Sequence, residues 1–161
     1  MMTNRELQVS TPSDREILMT REFDAAPQLV YDAWTKPELL KRWFGPPGWE
    51  LPECEIDLRV GGSWRYLMRK PETGEEMGIS GVYREIVAPT LLVTTEKFDQ
   101  AWYEGDCIDH LEFIDQGGKT LLKLTTLYDT KEVRDAVVAS GAAGGMNESF
   151  NRLDEVLAEK A

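Results

Sequence analysis

The sequence predicts an α+β fold: a curved antiparallel sheet of about seven strands wrapped around a long C-terminal helix, with two short helices after the first strand. Three observations carry this. Met146, Phe150, Leu153 and Leu157 recur at helical spacing near the C-terminus and form a single apolar stripe. Ahead of them, segments of strand character follow one another across short turn signals, which suits an antiparallel meander. Between Pro27 and Trp43 the pattern is instead helical, with a proline placed where a helix tolerates one.

Residues 1–14 are polar and aperiodic and read as a flexible N-terminal arm; residues 15–161 read as one domain. In Glu16–Phe23, residues Ile17, Met19, Arg21 and Phe23 alternate with Leu18, Thr20 and Glu22, as on a strand. Pro27 opens a helix whose Val30, Ala33 and Trp34 share one face. Thr35-Lys36-Pro37-Glu38 matches a capping box, so a second short helix carrying Leu39, Leu40 and Trp43 is expected before Gly45-Pro46-Pro47-Gly48 stops it. Strands are expected over 49–58, 63–70, 77–87, 90–98, 107–115 and 119–128. Gly61-Gly62, read as turn residues needing positive φ, and Gln116-Gly117-Gly118 are among the turns between them. Asp57 and Arg59 are placed to pair across the first of these. Thr130 caps a helix over 131–139, and a longer helix runs from Gly144-Gly145 to about Glu159.

A chain of 161 residues with 42% apolar content is long enough for one well-buried core. No stretch reaches the ~20 apolar residues of a membrane span, and Met1–Glu6 lacks a secretory signal's apolar core, so a cytoplasmic location is expected. The net charge of −11 repels phosphate backbones and excludes nucleic acid as a partner. With one histidine and two separated cysteines, no usual zinc-ligand spacing exists, and no metal or cofactor is expected. Cys54 and Cys107 are read as reduced thiols. No nucleophile elbow, phosphate loop or dinucleotide fingerprint is present.

A bent sheet and one helix rarely close along their whole length, and the two small helices plug only one end. A partly enclosed apolar cavity is then expected, and such a cavity is the default ligand site. Its expected wall is Trp64, Tyr66, Met68, Met146 and Phe150, with Trp43 or Phe44 at the mouth and Met77 as an adaptable contact. The one cluster hinting at acid/base chemistry is Asp109-His110-Leu111-Glu112, preceded by Glu104 and Asp106. On a strand, His110 and Glu112 share a face and Asp109 points the other way. His110 is included among the candidate ligand-binding residues; none is assigned a catalytic role.

The chain also resembles a known family. The residues that carry the likeness are Val30-Tyr31-Asp32-Ala33-Trp34-Thr35, Pro37 to Pro46, Asp57 to Tyr66, Gly81 to Leu91 and Gly144 to Leu153. Together they resemble the helix-grip fold of the START-like (SRPBCC, Bet v-type) superfamily. More narrowly, they resemble stand-alone bacterial homologues of the C-terminal domain of the activator of the ninety-kilodalton heat-shock-protein ATPase. The resemblance spans roughly residues 15–159 and implies non-enzymatic binding of a small hydrophobic or amphipathic ligand, of a stress-response or resistance type. Two alternatives stay open: a co-chaperone-like module for a chaperone or other protein, and a cyclase- or dehydratase-like enzyme. The full-length activator carries a further N-terminal domain that contacts the chaperone, for which this sequence has no room. A homodimer also stays open.

Overall fold

The computed structural model describes residues 6–99 and 105–160. The elements run β1 (Gln8–Ser10), β2 (Glu16–Phe23), α1 (Pro27–Thr35), α2 (Pro37–Leu40), β3 (Glu50–Ile56), β4 (Ser63–Lys70), β5 (Glu75–Val87), β6 (Leu91–Phe98), β7 (Cys107–Asp115), β8 (Thr120–Leu127), α3 (Lys131–Ala139) and α4 (Ala142–Lys160). All strands belong to one open eight-stranded sheet in the order β1-β2-β8-β7-β6-β5-β4-β3. Every neighbouring pair is antiparallel. The α+β class and the C-terminal helix agree with the sequence. The strand count is eight rather than about seven, because Gln8–Ser10 pairs with Leu18–Thr20 of β2. Three exposed residues show no alternation that a sequence could reveal, but an unpaired edge beside β2 gives their backbone groups partners.

Strand alternation sorts the side chains into a concave and a convex layer. In β8, Thr120, Leu122, Leu124 and Thr126 are buried while the residues between them are half-buried. In β4 the buried residues are Trp64, Tyr66 and Met68, as the alternation predicts. α1 and α2 carry the chain from β2 to β3 at the opposite edge of the sheet. Thr130 caps α3 as expected, its side chain accepting a hydrogen bond from the Val133 amide at 3.1 Å. The capping box at Thr35 does not form. The Thr35 hydroxyl donates to the Tyr31 carbonyl at 2.9 Å instead, and Lys36 is the cap of α2. At the β3–β4 turn Arg59 pairs with Asp57 at 2.9 Å. Gly61 takes φ +84°, but Gly62 does not take positive φ. Gly62 is required for another reason: an added Cβ would collide with the Asp57 carbonyl.

α4 lies across the concave face. Phe150 meets Phe23 edge-on with ring centroids 5.4 Å apart. Arg21, only 2% exposed on the inner side of β2, reaches α4 through Asp154 at 2.5 Å and Asn151 at 3.2 Å. A buried charge of this kind is tolerable only when paired and hydrogen-bonded. Around these contacts Val30, Leu40, Trp43, Phe113, Leu122 and Leu153 complete a filled core. No helix among the described residues is long and apolar enough to cross a membrane.

Candidate functional site

Under the first turns of α4 the sheet and helix do not meet. They enclose a cavity of about 550 Å³, within the range of small-molecule sites. Its floor is the inner face of the sheet: Trp64, Tyr66 and Met68 from β4, Met77, Ile79 and Tyr83 from β5, Leu92, Thr94 and Phe98 from β6. Phe44, Gly45 and Pro46 form one side of the mouth, and Gly141, Ala142, Gly145 and Met146 form the other. The mouth is held by two bonds from α4 to one carbonyl: Ser149 Oγ donates to Gly45 O at 2.8 Å, and Arg152 donates to the same oxygen.

The floor depends on a close approach at Gly81, which faces Trp64 across the β4–β5 ladder. A Cβ there would lie 2.7 Å from the Trp64 ring and collide with the Thr95 carbonyl. The indole is further fixed by its Nε1, which donates to Thr94 Oγ1 at 3.1 Å, and by the Tyr66 ring at 4.6 Å. Trp34, on α1, also lines the cavity, and its Nε1 is the buried side-chain polar atom without a partner among the described residues. An unmet donor of this kind costs about 1–3 kcal/mol.

Two carboxyl groups interrupt the apolar wall. Glu96 of β6 and Asp109 of β7 both line the cavity. Their strands are neighbours, with Glu96 opposite Cys107 and Thr94 opposite Asp109, so the inward positions of the two strands converge. Thr126 Oγ1 donates to Asp109 Oδ1 at 2.7 Å. Burial pushes the Glu96 carboxyl well above the usual carboxylate range, and the charge of Asp109 and a hydrogen bond with it add to the rise. Glu96, Cys107 and Asp109 each place one donor atom within 4.8 Å of the others, the grouping through which these strands could hold a cation. The Cys107 thiol points to the Glu96 carbonyl at 3.6 Å. Burial likewise raises the Tyr66, Tyr83 and Tyr128 phenols, and it pushes the Cys54 thiol up to about 11. All three tyrosines line the cavity, as neutral hydrogen-bonding groups at neutral pH.

The structure places the residues expected to meet a ligand as follows. Phe44, Trp64, Tyr66, Met68, Met77 and Met146 all line the cavity. Trp43 and Phe150 do not. Trp43 is wholly buried, donates through Nε1 to the Ala33 carbonyl at 3.0 Å, and packs on Trp34 at 4.8 Å. Phe150 is 1% exposed and lies between Phe23 and the Trp43 ring, part of the filled core rather than the hollow. His110 is corrected more strongly. It is exposed on the convex face of β7, so it neither lines the cavity nor serves acid/base chemistry there. The alternation that sends His110 outward sends Asp109 inward. Glu104 lies outside the described residues, and Asp106 is exposed. Glu96 was missed altogether; its signal was the inward series Leu92, Thr94, Glu96 and Phe98 on β6.

The sequence profile of the Activator of Hsp90 ATPase homolog 1-like protein family matches residues 24–158. A crystal structure of a protein from Rhodobacter sphaeroides is 32% identical, with a TM-score of 0.90 over 96% of this chain and 99% of that one. The crystal structure of protein NE0264 from Nitrosomonas europaea is 25% identical, with a TM-score of 0.81 over 93% and 98% of the two chains. A crystal structure of the protein from Silicibacter pomeroyi that carries the family's name shares the fold at 20% identity, with a TM-score of 0.73 over 91% and 99%. No curated protein matches the sequence.

Proposed function

Because the chain belongs to the Activator of Hsp90 ATPase homolog 1-like family, a fold family in which ligand binding and polyketide-cyclase-like activity are common, we propose that it binds a small, largely apolar molecule in the hollow beneath α4. The observation that carries this is the cavity of about 550 Å³, with Trp64, Met68, Met77, Ile79 and Met146 in its wall. An interior that served stability alone would be packed to near crystal density. Transfer of ligand surface into the hollow supplies the drive, about 25 cal/mol per Å² of apolar area before the ordering cost of association. Methionines on three sides let the wall refit to the occupant.

Trp34 and Trp64 line the cavity, so intrinsic fluorescence reports its filling. Titration with decanol is expected to give a saturable one-site change that Met146→Trp abolishes by blocking the mouth. A flat titration in the wild-type protein would remove the reading. The protein-partner alternative has less support. Of the exposed large apolar side chains, Leu58, Val60 and Val82 lie about the β3–β4 turn, where Gly61 and Gly62 bond to the Tyr83 backbone, while Val9, Val87, Ile114 and Val138 belong to other elements.

One observation favours a second reading, an enzyme of the cyclase or dehydratase type. Glu96, its carboxyl raised above the usual carboxylate range by burial and by Asp109 beside it, gives the cavity wall a group suited to proton transfer. Mass spectrometry of a bound compound, before and after incubation with the protein, separates binding from turnover.

A further inference from the structure

Resting on the binding reading above, we propose that the hollow selects an amphipathic amine. Its apolar body would lie against Trp64, Met68, Met77 and Met146, and its protonated nitrogen would sit between Glu96 and Asp109.

The charge pattern of the wall is the first support. Glu96 and Asp109 are its charged or chargeable acids, and no lysine, arginine or histidine lines the cavity among the described residues. The convergence is built by the fold, because adjacent strands hold the two acids and Thr126 fixes Asp109 from the third. A fatty acid or other carboxylate would bring a desolvated negative charge to this place with no cation to meet it, which is costly in a low-dielectric interior. An ammonium reverses the sign of that interaction and gains charge-assisted hydrogen bonds.

The second support is independent of the acids. Tyr66 and Tyr83, 5% and 3% exposed, both line the cavity. Neither hydroxyl forms a hydrogen bond to another described residue, so both are free to meet an occupant of the hollow they line. Tyr66 lies within the field of both Glu96 and Asp109. Its phenol oxygen is thus a further acceptor on the same side of the hollow. The aromatic faces of Trp64 and Tyr66 add the cation-attracting surface that ammonium sites commonly use.

The test is a head-group series on one alkyl chain: decylamine, decanol and decanoic acid, titrated by tryptophan fluorescence and calorimetry at pH 7. A salt concentration near the physiological value screens the field of the −11 surface. The expected result is one-site binding of decylamine, tighter than that of decanoic acid by about tenfold or more, the scale of one hydrogen bond to a charged group. Glu96→Gln combined with Asp109→Asn, which keeps shape and the Thr126 contact, is expected to erase the preference. Decanoic acid binding as tightly as decylamine to the wild-type protein would overturn the inference while leaving the cavity a ligand site, and this arm needs no variant to fold. An amine preference that survives in the double variant would also overturn it, since the selectivity would then belong to the surface. Failure of all three probes would instead overturn the binding reading itself.

Discussion

The two ends of the concave face are covered by one helix and built from the same strands, yet one is solid and the other hollow. At the solid end α4 presents Phe150, Leu153, Val156 and Leu157, all buried against Phe23, Leu122 and the α1–α2 aromatics. At the hollow end it presents Ala142, Gly145 and Met146, and an added Cβ at Gly144 or Gly145 would meet nothing within 4 Å. The sheet contributes large residues to both ends, so the difference lies in the volume the helix supplies. Stability is concentrated where that volume is large, and binding space is left where it is small. The Arg21–Asp154 pair and the bonds to Gly45 hold the helix at a fixed height, so the hollow cannot collapse to fill itself.

The sharpest way to break this comparison is to truncate one residue at each end. Phe150→Ala should cost about 3–5 kcal/mol, because it leaves a cavity in a filled region. Met146→Ala should cost less than about 1 kcal/mol, since one side of that residue already faces open space. Urea denaturation of both variants gives the answer, and equal losses would erase the distinction between the ends. Arg21→Met should cost about 3 kcal/mol by leaving Asp154 without its cation, and thermal melts should show the loss without any change in decanol affinity.

A third prediction concerns Glu96 alone. Its carboxyl titrates above its unfolded value near 4.5, so the native state holds a proton that the unfolded chain releases. Stability attributable to this group is therefore full below that value and declines as pH rises toward its raised native value. Glu96→Gln, neutral at every pH, should flatten the decline and raise the melting temperature at neutral and alkaline pH. A melting temperature that changes across this window by the same amount in the wild-type protein and the variant would contradict the assignment. Smallest of all, Gly145→Ala should stabilise by about 0.5–1 kcal/mol through helix propensity, as no neighbour opposes the methyl group.

Much of this was legible in the residues. The α4 stripe, the β4 alternation, the Thr130 cap and the boundaries of α3 all follow from local periodicity and capping chemistry, which act within a few residues. What depended on tertiary placement was not. Alternation on β7 separates His110 from Asp109 but does not say which side faces in; the inward company of Cys107, Leu111 and Phe113 decides that. Phe150 and Met146 lie on one stripe of one helix, and only their position along the bowl makes one core and the other cavity wall. The glycines at 144 and 145 look like a helix boundary, but α4 begins at Ala142 and passes through them.

The central claim, that the space beneath the start of α4 admits a ligand, is tested most directly by methyl NMR of the protein labelled at its methionine ε-carbons. Met19, Met68, Met77 and Met146 all line the cavity, from β2, β4, β5 and α4. Titration with decylamine should shift these four resonances together, saturating at one equivalent. Four unmoved resonances in the presence of saturating decylamine and decanol would contradict the account.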